Sequence, residues 1–447
     1  MVSAAERLAS NVNIGVLARA TELKQRLWFI IGALIVYRIG TYIPIPGIDP
    51  VTLKEIFEQQ ASGILGVFNM FSGGALGRMT IFALAIIPYI SSSIIMQLMT
   101  VASPHLAALK KEGQAGRQVI NQYTRYGTVL LATIQAYGVA IGLEGLQGST
   151  GSAVIDPGAF FRFTTVVTLV GGTIFLMWLG EQMTSRGIGN GISLIIFAGI
   201  VAELPGALAG LFELGRRGVF SISFILIVVI LALGLIALIV FIERAQRRIV
   251  VQYPKRQVGN KMYGGERSHL PLKLNTAGVI PPIFASSILL FPLTMAGFNQ
   301  DGSSEWLNTI TLYLQHGQPL YIVLYAAIIM FFCFFYTAIV FNPEDTADNL
   351  KKNGGFIAGV RPGKATSDYL DYVLTRLTAV GAVYLAFVCV MPELLIAKYQ
   401  VPFYLGGTSL LIVVNVMIDF VGQVQSHLFA HQYEGLIKKS KLKGKRR

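Results

Sequence analysis

Gly359-Val360-Arg361-Pro362-Gly363-Lys364-Ala365 is the stretch of this chain nearest to a phosphate-binding loop, and it fails at two positions. Ala358 stands where the first glycine is needed, and Ala365 replaces the hydroxyl that would hold magnesium. Nucleotide hydrolysis is therefore not expected, and any driving force must come from a partner. His427 and His431 have helical i, i+4 spacing, but Leu428 follows the first, so the metalloprotease pattern is absent and a surface pair near a helix end is the plainer reading. Arg186-Gly187-Ile188-Gly189-Asn190-Gly191 has no strand before it, so it reads as a tight turn into a helix rather than a nucleotide cradle. Cys333 and Cys389 lie inside apolar stretches and read as small buried hydrophobes, not as a disulfide or metal pair. No Ser-His-Asp or paired-carboxylate set can be assembled. Neither an enzyme nor a cofactor or metal site is expected.

A different chemistry, the exclusion of water and ions, is open to the isoleucines. Ile86 and Ile90 are four residues apart, as are Ile192 and Ile196, so each pair shares one helix face. Ile283 and Ile412 fall at comparable depth in their own apolar segments. A ring of β-branched aliphatics drawn from several helices closes a pore by dewetting, with no specific hydrogen bond to what passes. Ordinary core packing or a lipid-facing surface explains the same pattern equally simply.

The elements that would position these residues are membrane helices. A span needs about 20 apolar residues, and such stretches occur near 27-46, 79-101, 123-143, 161-180, 190-212, 219-242, 275-296, 318-341, 371-394 and 402-424. The composition, 53% hydrophobic and 13% charged with a mean hydropathy of +0.61, is too apolar for a soluble domain of 447 residues. All but Arg38, Lys54, Arg78, Arg162, Arg216, Arg217 and Lys398 of the 36 Lys and Arg residues fall in alternate gaps between spans. Basic loops mark the cytoplasmic side, so both termini are expected there. The net charge of +13 is mostly this topology signal, with attraction to anionic headgroups added. The first apolar stretch is long enough to span and lacks the cleavage site of a secretory signal.

Residues 51-77 are too polar to span and too apolar for a free loop; Ile56 to Met70, closing on Phe71-Ser72-Gly73-Gly74-Ala75, would suit a short re-entrant helix surrounded by protein. Ile87-Pro88-Tyr89-Ile90 with Ser93 is echoed by Ile280-Pro281-Pro282-Ile283 with Ser286, five spans later. An odd repeat places its second copy upside down, which puts a working site between the halves near the midplane. Charges inside the spans are few; Arg38, Glu181 and Asp419 lie towards span ends, where snorkelling explains them. That scarcity counts against the rival reading, a secondary transporter of small solutes with an inverted five-helix repeat. An intramembrane enzyme or lipid scramblase finds no catalytic set or hydrophilic groove. Loops 243-274 and 342-370 carry more basic residues than topology requires and suit an acidic protein surface or ribosomal RNA phosphates.

Phe68-Asn69-Met70-Phe71-Ser72-Gly73-Gly74-Ala75-Leu76, Met177-Trp178-Leu179-Gly180-Glu181-Gln182 leading into Arg186 to Ser193, Ala277-Gly278-Val279-Ile280-Pro281, and Phe341-Asn342-Pro343 with Ala347 to Lys352 resemble the bacterial SecY family from about residue 20 onward. The resemblance implies an all-α integral membrane protein of ten helices in two inverted halves, 27-213 and 214-424, between a cytoplasmic segment 1-26 and a basic tail 425-447. It implies the channel subunit of the general secretory translocon in the bacterial inner membrane. The pore ring would be Ile86, Ile90, Ile192, Ile196, Ile283 and Ile412, and the plug about 64-77, including Phe68, Asn69, Met70, Phe71, Ser72, Gly73 and Gly74. The second and seventh spans, with Pro88 and Pro281, would form a lateral gate with Ser91 facing Phe291. SecE, SecG, the SecA motor ATPase, a translating ribosome, signal sequences, unfolded polypeptides and membrane lipids are the implied partners. Docking would fall on Lys255 and Arg256 at the tip of one loop and on Arg361 in the other.

Overall fold

The computed structural model describes residues 21–59, 69, 72–145, 147–148, 151–253, 256–258, 261–263, 267–297, 313, 318–399 and 406–444. Helices occupy the places of all ten expected spans: α1 (Thr21–Gly40), α3 (Ile87–Ala102), α5 (Gln114–Glu144), α6 (Ala159–Arg186), α7 (Gly191–Arg216), α8 (Ile222–Arg244), α9 (Ile280–Gly297), α10 (Pro319–Val340), α12 (Lys364–Tyr399) and α13 (Gly407–Gly444). Seven are long and apolar enough to cross a membrane by themselves. An eighth crossing results if α3 is taken with α4 (Pro104–Lys111), to which it is bent by 99° at Ser103-Pro104. The remaining two are α1, which carries Glu22, Lys24, Arg26 and Arg38, and α9, whose first turn holds Pro281 and Pro282.

Between α1 and α3 the chain is not a plain loop. Asp49 starts the short helix α2 (Pro50–Gln59), its carboxylate accepting from the Val51 and Thr52 amides at 3.3 and 3.2 Å and from the Thr52 hydroxyl. The second span differs from the expectation of a helix from 79. Residues 72–86 form consecutive turns, with Met79 and Ala85 at positive φ, and the helix begins at Ile87. Pro88 suits the boundary, because in the first helical turn its missing N–H would have no intrahelical partner in any case. The irregular backbone is buried and meets its hydrogen-bond demand against the segment after α1: Ile45 donates to Met79 O at 2.9 Å and Ile81 to Ile43 O at 3.0 Å. Phe82 anchors it by stacking on Tyr37 and Phe175, with ring centroids 6.2 and 5.9 Å away.

The first five spans pack on one another (α3 on α5, α5 on α6, α6 on α1 and α7), as do the last five (α9 on α10, α10 on α12, α12 and α8 on α13). Two seams join the sets: α7 meets α8 and α13 on one side, and α9 meets α3 and α5 on the other. The main apolar cluster runs through both sets, from Tyr37, Phe82 and Leu176 to Ile329, Val388 and Leu411.

The two basic loops are more ordered than their composition suggests. Strand β3 (Gln246–Gln252) pairs antiparallel with β6 (Arg267–Lys273), Ile249 opposite Leu270. Between them β4 (Arg256–Val258) pairs with β5 (Lys261–Tyr263). The second loop contributes α11 (Pro343–Lys352) and β7 (Phe356–Ile357), which adds to the free edge of β3 through Val251 opposite Ile357. Ile249, Leu272 and Ile357 then pack on Leu370 and Val373 near the start of α12, so the protrusions share one small core. The two further strands, β1 (Gln147–Gly148) and β2 (Gly151–Ser152), form a hairpin between α5 and α6.

Candidate functional site: an isoleucine constriction and its surroundings

Each of the six isoleucines sits near the start of a helix. Ile86 caps α3 and Ile90 lies one turn in; Ile192 and Ile196 occupy the first turns of α7; Ile283 is in the first turn of α9 and Ile412 in the second of α13. All six belong to one contiguous apolar cluster, Ile86, Ile196 and Ile412 buried and Ile90, Ile192 and Ile283 half-buried. Short β-branched side chains have few rotamers, so their position follows that of the helix starts.

Those starts are fixed by identifiable contacts. Asn190 caps α7, its side-chain oxygen accepting from the Ile192 amide at 3.1 Å, while the Gly191 amide donates to Thr184 Oγ1 at 2.8 Å. A Cβ on Gly191 would lie 2.2 Å from Gly180 O and 2.5 Å from Met183 Cβ, so only glycine lets α7 begin this close to α6. The glycine-rich stretch is thus a turn into a helix. For α9 the device is Asn275, which accepts from the Gly278 amide at 3.1 Å and donates to Gly278 O at 3.1 Å and to Glu243 Oε1, at the end of α8, at 2.6 Å. Gly278, at φ +65°, then turns the chain into Ile280. Neither Asn275 nor Glu243 was singled out from sequence.

At the seam between α3 and α9, Ile90, Ile94 and Leu98 meet Ile280 and Phe284, backed by Phe332, Phe335 and Tyr336 of α10. Phe284 stands edge-on to Phe332 at 5.5 Å and to Tyr336 at 6.3 Å. Pro88 and Pro281 are buried. Ser91 is half-buried, and its neighbour Ser92 bonds the third span, donating to Thr124 O at 2.7 Å. Phe291 lies in α9, but its side chain is outside the described residues.

Of the residues expected in the plug, Phe68, Met70 and Phe71 lie outside the described residues; Asn69, Ser72, Gly73 and Gly74 lie within. These four close on themselves. Asn69 O accepts from the Gly74 amide and Ser72 Oγ, at 2.8 and 2.9 Å, and Asn69 Oδ1 from the Gly77 amide at 2.6 Å. The segment is held against α1 and α7: Tyr37 Oη donates to Ser72 O, Arg38 Nη1 donates to Gly73 O, and a Cβ on Gly73 would come 3.0 Å from Gly199 Cα. Arg38 therefore does more than snorkel. Its position inside a span was the signal that could have marked it, since charge at membrane depth persists where it is used.

Lys255 lies outside the described residues, Arg256 begins β4 with its side chain undescribed, and Arg361 is exposed in the turn before α12. Among the described residues no three His, Cys, Asp or Glu side chains gather as a metal site. The helices themselves make this a multi-pass membrane protein.

Comparison with known proteins agrees with this geometry. The SecY family profile matches residues 80–421. Protein translocase subunit SecY of Rickettsia felis is 61% identical over 422 residues, covering 94% of this chain and 97% of that protein. The subunit of the same name from Escherichia coli is 59% identical over 424 residues, covering 95% and 96%. Among solved structures, one described as a protein conducting channel superposes with a TM-score of 0.64 at 19% identity, covering 90% of this chain and 92% of its own. Canine Sec61 in a ribosome-channel complex superposes at 0.59 with 18% identity, again over 90% and 92%.

Proposed function

This chain belongs to the SecY family, and from that premise we propose how its residues perform protein translocation. It is a protein translocase subunit that forms a protein-conducting channel, which displaces the solute-transporter alternative. The two packed sets of five helices act as halves, hinged where α7 meets α8 and opening where α9 meets α3. The observation that carries the reading is the convergence of Ile86, Ile90, Ile192, Ile196, Ile283 and Ile412, from four different helices and both sets, in one apolar cluster.

An aliphatic constriction suits a cargo of variable sequence. It offers neither donor nor acceptor, so it grips no polypeptide, and without a chain in place it excludes water and ions by dewetting. Residues 64-77 plug the constriction at rest. The α3/α9 seam is the lateral gate: because Ile94, Leu98 and Phe284 meet there through apolar contacts, a sufficiently apolar signal sequence can replace those contacts and leave into lipid. Ser91 and Phe291 flank that seam. No residue of this chain breaks a bond, so energy enters through a partner. The sheet of β3, β6 and β7 joins the two basic loops, and through Lys255, Arg256 and Arg361 these loops receive the SecA motor or a translating ribosome. SecE clamps the hinge side and SecG is accessory. Both termini face the cytoplasm of a bacterial inner membrane.

Reconstitution tests the reading. Vesicles holding this chain with its small partner subunits, motor and ATP are expected to protect an added secretory protein from protease. Vesicles that take up small solutes and protect no protein would contradict it.

A further inference from the structure

Two adjacent residues near the end of the first span donate to two adjacent backbone carbonyls of the plug segment. Tyr37 Oη reaches Ser72 O at 3.2 Å, and Arg38 Nη1 reaches Gly73 O at 2.8 Å. The geometry points to a latch: we propose that Tyr37 and Arg38 hold the plug by its main chain and set how readily it leaves, an assignment that rests on reading 64-77 as the plug.

Three features favour a releasable latch over ordinary packing. First, the segment satisfies much of its own backbone internally, since Asn69 and Ser72 bind the amides of Gly74, Gly77 and Leu76. Releasing the two outer bonds therefore leaves the turn intact. Second, the acceptors are carbonyls, so the grip is indifferent to the side chains the segment carries. Third, the guanidinium sits beside a half-open site: Arg38 Nη2 donates to Tyr42 Oη at 2.9 Å, and Tyr42 is exposed. On release the charge regains water instead of being stranded.

The same ring is shared. Arg38 lies 4.9 Å and Arg78 4.3 Å from the Tyr42 centroid. Arg78 also lies 3.9 Å from Glu203 on α7, whose Oε1 would be 2.3 Å from a Cβ at Gly74. Glu203 and Arg78 thus brace the far side of the same turn. Arg38 on α1 and the confining Gly199 and Glu203 on α7 all belong to the first set of five helices, so the segment is held by one half alone.

The test uses the whole translocon complex in vesicles, with Ala75→Cys as the reporter, at a fully buried position whose side chain has no hydrogen bond to lose. Cys333 and Cys389 are both buried, and the complex lacking the reporter gives their background. The reading is the rate of modification by a membrane-impermeant thiol reagent and the resting ion leak, with protein translocation measured alongside to show that each variant is assembled. Arg38→Gln is expected to speed modification about tenfold or more, as loss of a charge-assisted hydrogen bond allows, and to raise the leak. Tyr37→Phe, the mildest change, is expected to give a smaller rise of the same sign, and Arg38→Lys to fall between wild type and Arg38→Gln. Excision of 64-77 is the reference arm. If excision raises the leak while Tyr37→Phe and Arg38→Gln leave modification and leak unchanged, the latch is wrong and the plug stands. If excision leaves the leak unchanged, the plug reading falls and the latch with it.

Discussion

Asn275→Ala is the substitution whose cost the geometry fixes most closely. The side chain is 3% exposed and makes three hydrogen bonds, two with Gly278 at 3.1 Å and one to the Glu243 carboxylate at 2.6 Å. A bond to a charged group contributes about 1.5–3 kcal/mol and each neutral one about 1 kcal/mol, so the loss should be about 3.5–5 kcal/mol. The upper part of that range applies because Glu243, itself 8% exposed, is left in a place where water cannot easily replace the amide. The damage is local: Gly278 loses the restraint that holds its positive φ, and α9 loses its fixed point of departure. Chemical unfolding of the detergent-solubilised complex should show that deficit. Glu243→Gln is the comparison, since its amide oxygen still accepts from Asn275 while the charge is removed and the side chain of Asn415, also bonded to this carboxylate, can turn to accept from the new NH2, and its cost should be about 0.5–1.5 kcal/mol. The reasoning is refuted if Asn275→Ala costs less than about 1 kcal/mol, below what even one lost bond should cost, or if Glu243→Gln is as damaging as Asn275→Ala.

Replacing Ile90 or Ile283 with Asn should raise resting ion conductance in planar bilayers while translocation persists, because one carboxamide is enough to wet a dewetted ring; unchanged leakage counts against the constriction. Gly191→Ala should lower the yield of folded protein by more than Gly189→Ala does, since a new Cβ meets Gly180 O at 2.2 Å at the first site and nothing nearer than 3.9 Å at the second; equal yields, with Gly189 already at positive φ, would show that α6 and α7 can separate freely. The Thr52 hydroxyl and amide, with the Val51 amide, hold the Asp49 carboxyl below the ordinary carboxylate range. Its folded value being depressed, the cap is fully effective above the unfolded carboxylate value and fails as pH falls through the lower folded one. Amide-exchange protection across 51–59, corrected for the intrinsic rate at each pH, should therefore fall in acid, and Asp49→Asn should remove that dependence; identical pH profiles would dismiss the cap.

The ten helical segments are legible in the sequence because hydrocarbon permits so few backbone solutions. Helix starts at Ile87 and Ile280 are equally legible after the fact, since Pro88 and Pro281 mark them. The turns over 72–86 are not: the residues are as apolar as a span, and only the pairing with 43–45, remote in sequence, makes non-helical backbone tolerable there. The β sheet escaped for the opposite reason. Arg247, Arg248 and His269 hide the alternation, and the strand that completes the sheet, Phe356–Ile357, comes from a different loop. Arg38 shows the limit of composition. A charge near a span end reads as snorkelling until the carbonyl of Gly73, 35 residues away, is seen beside it.

The central claim is that an unfolded chain passes through the isoleucine constriction. Its most direct measurement is disulfide trapping between Ile283→Cys and cysteines placed along a secretory protein stalled midway, in vesicles with motor and ATP. The account predicts adducts from many successive substrate positions, all dependent on ATP. Adducts confined to the signal sequence, or none while the protein is still translocated, would place the path elsewhere.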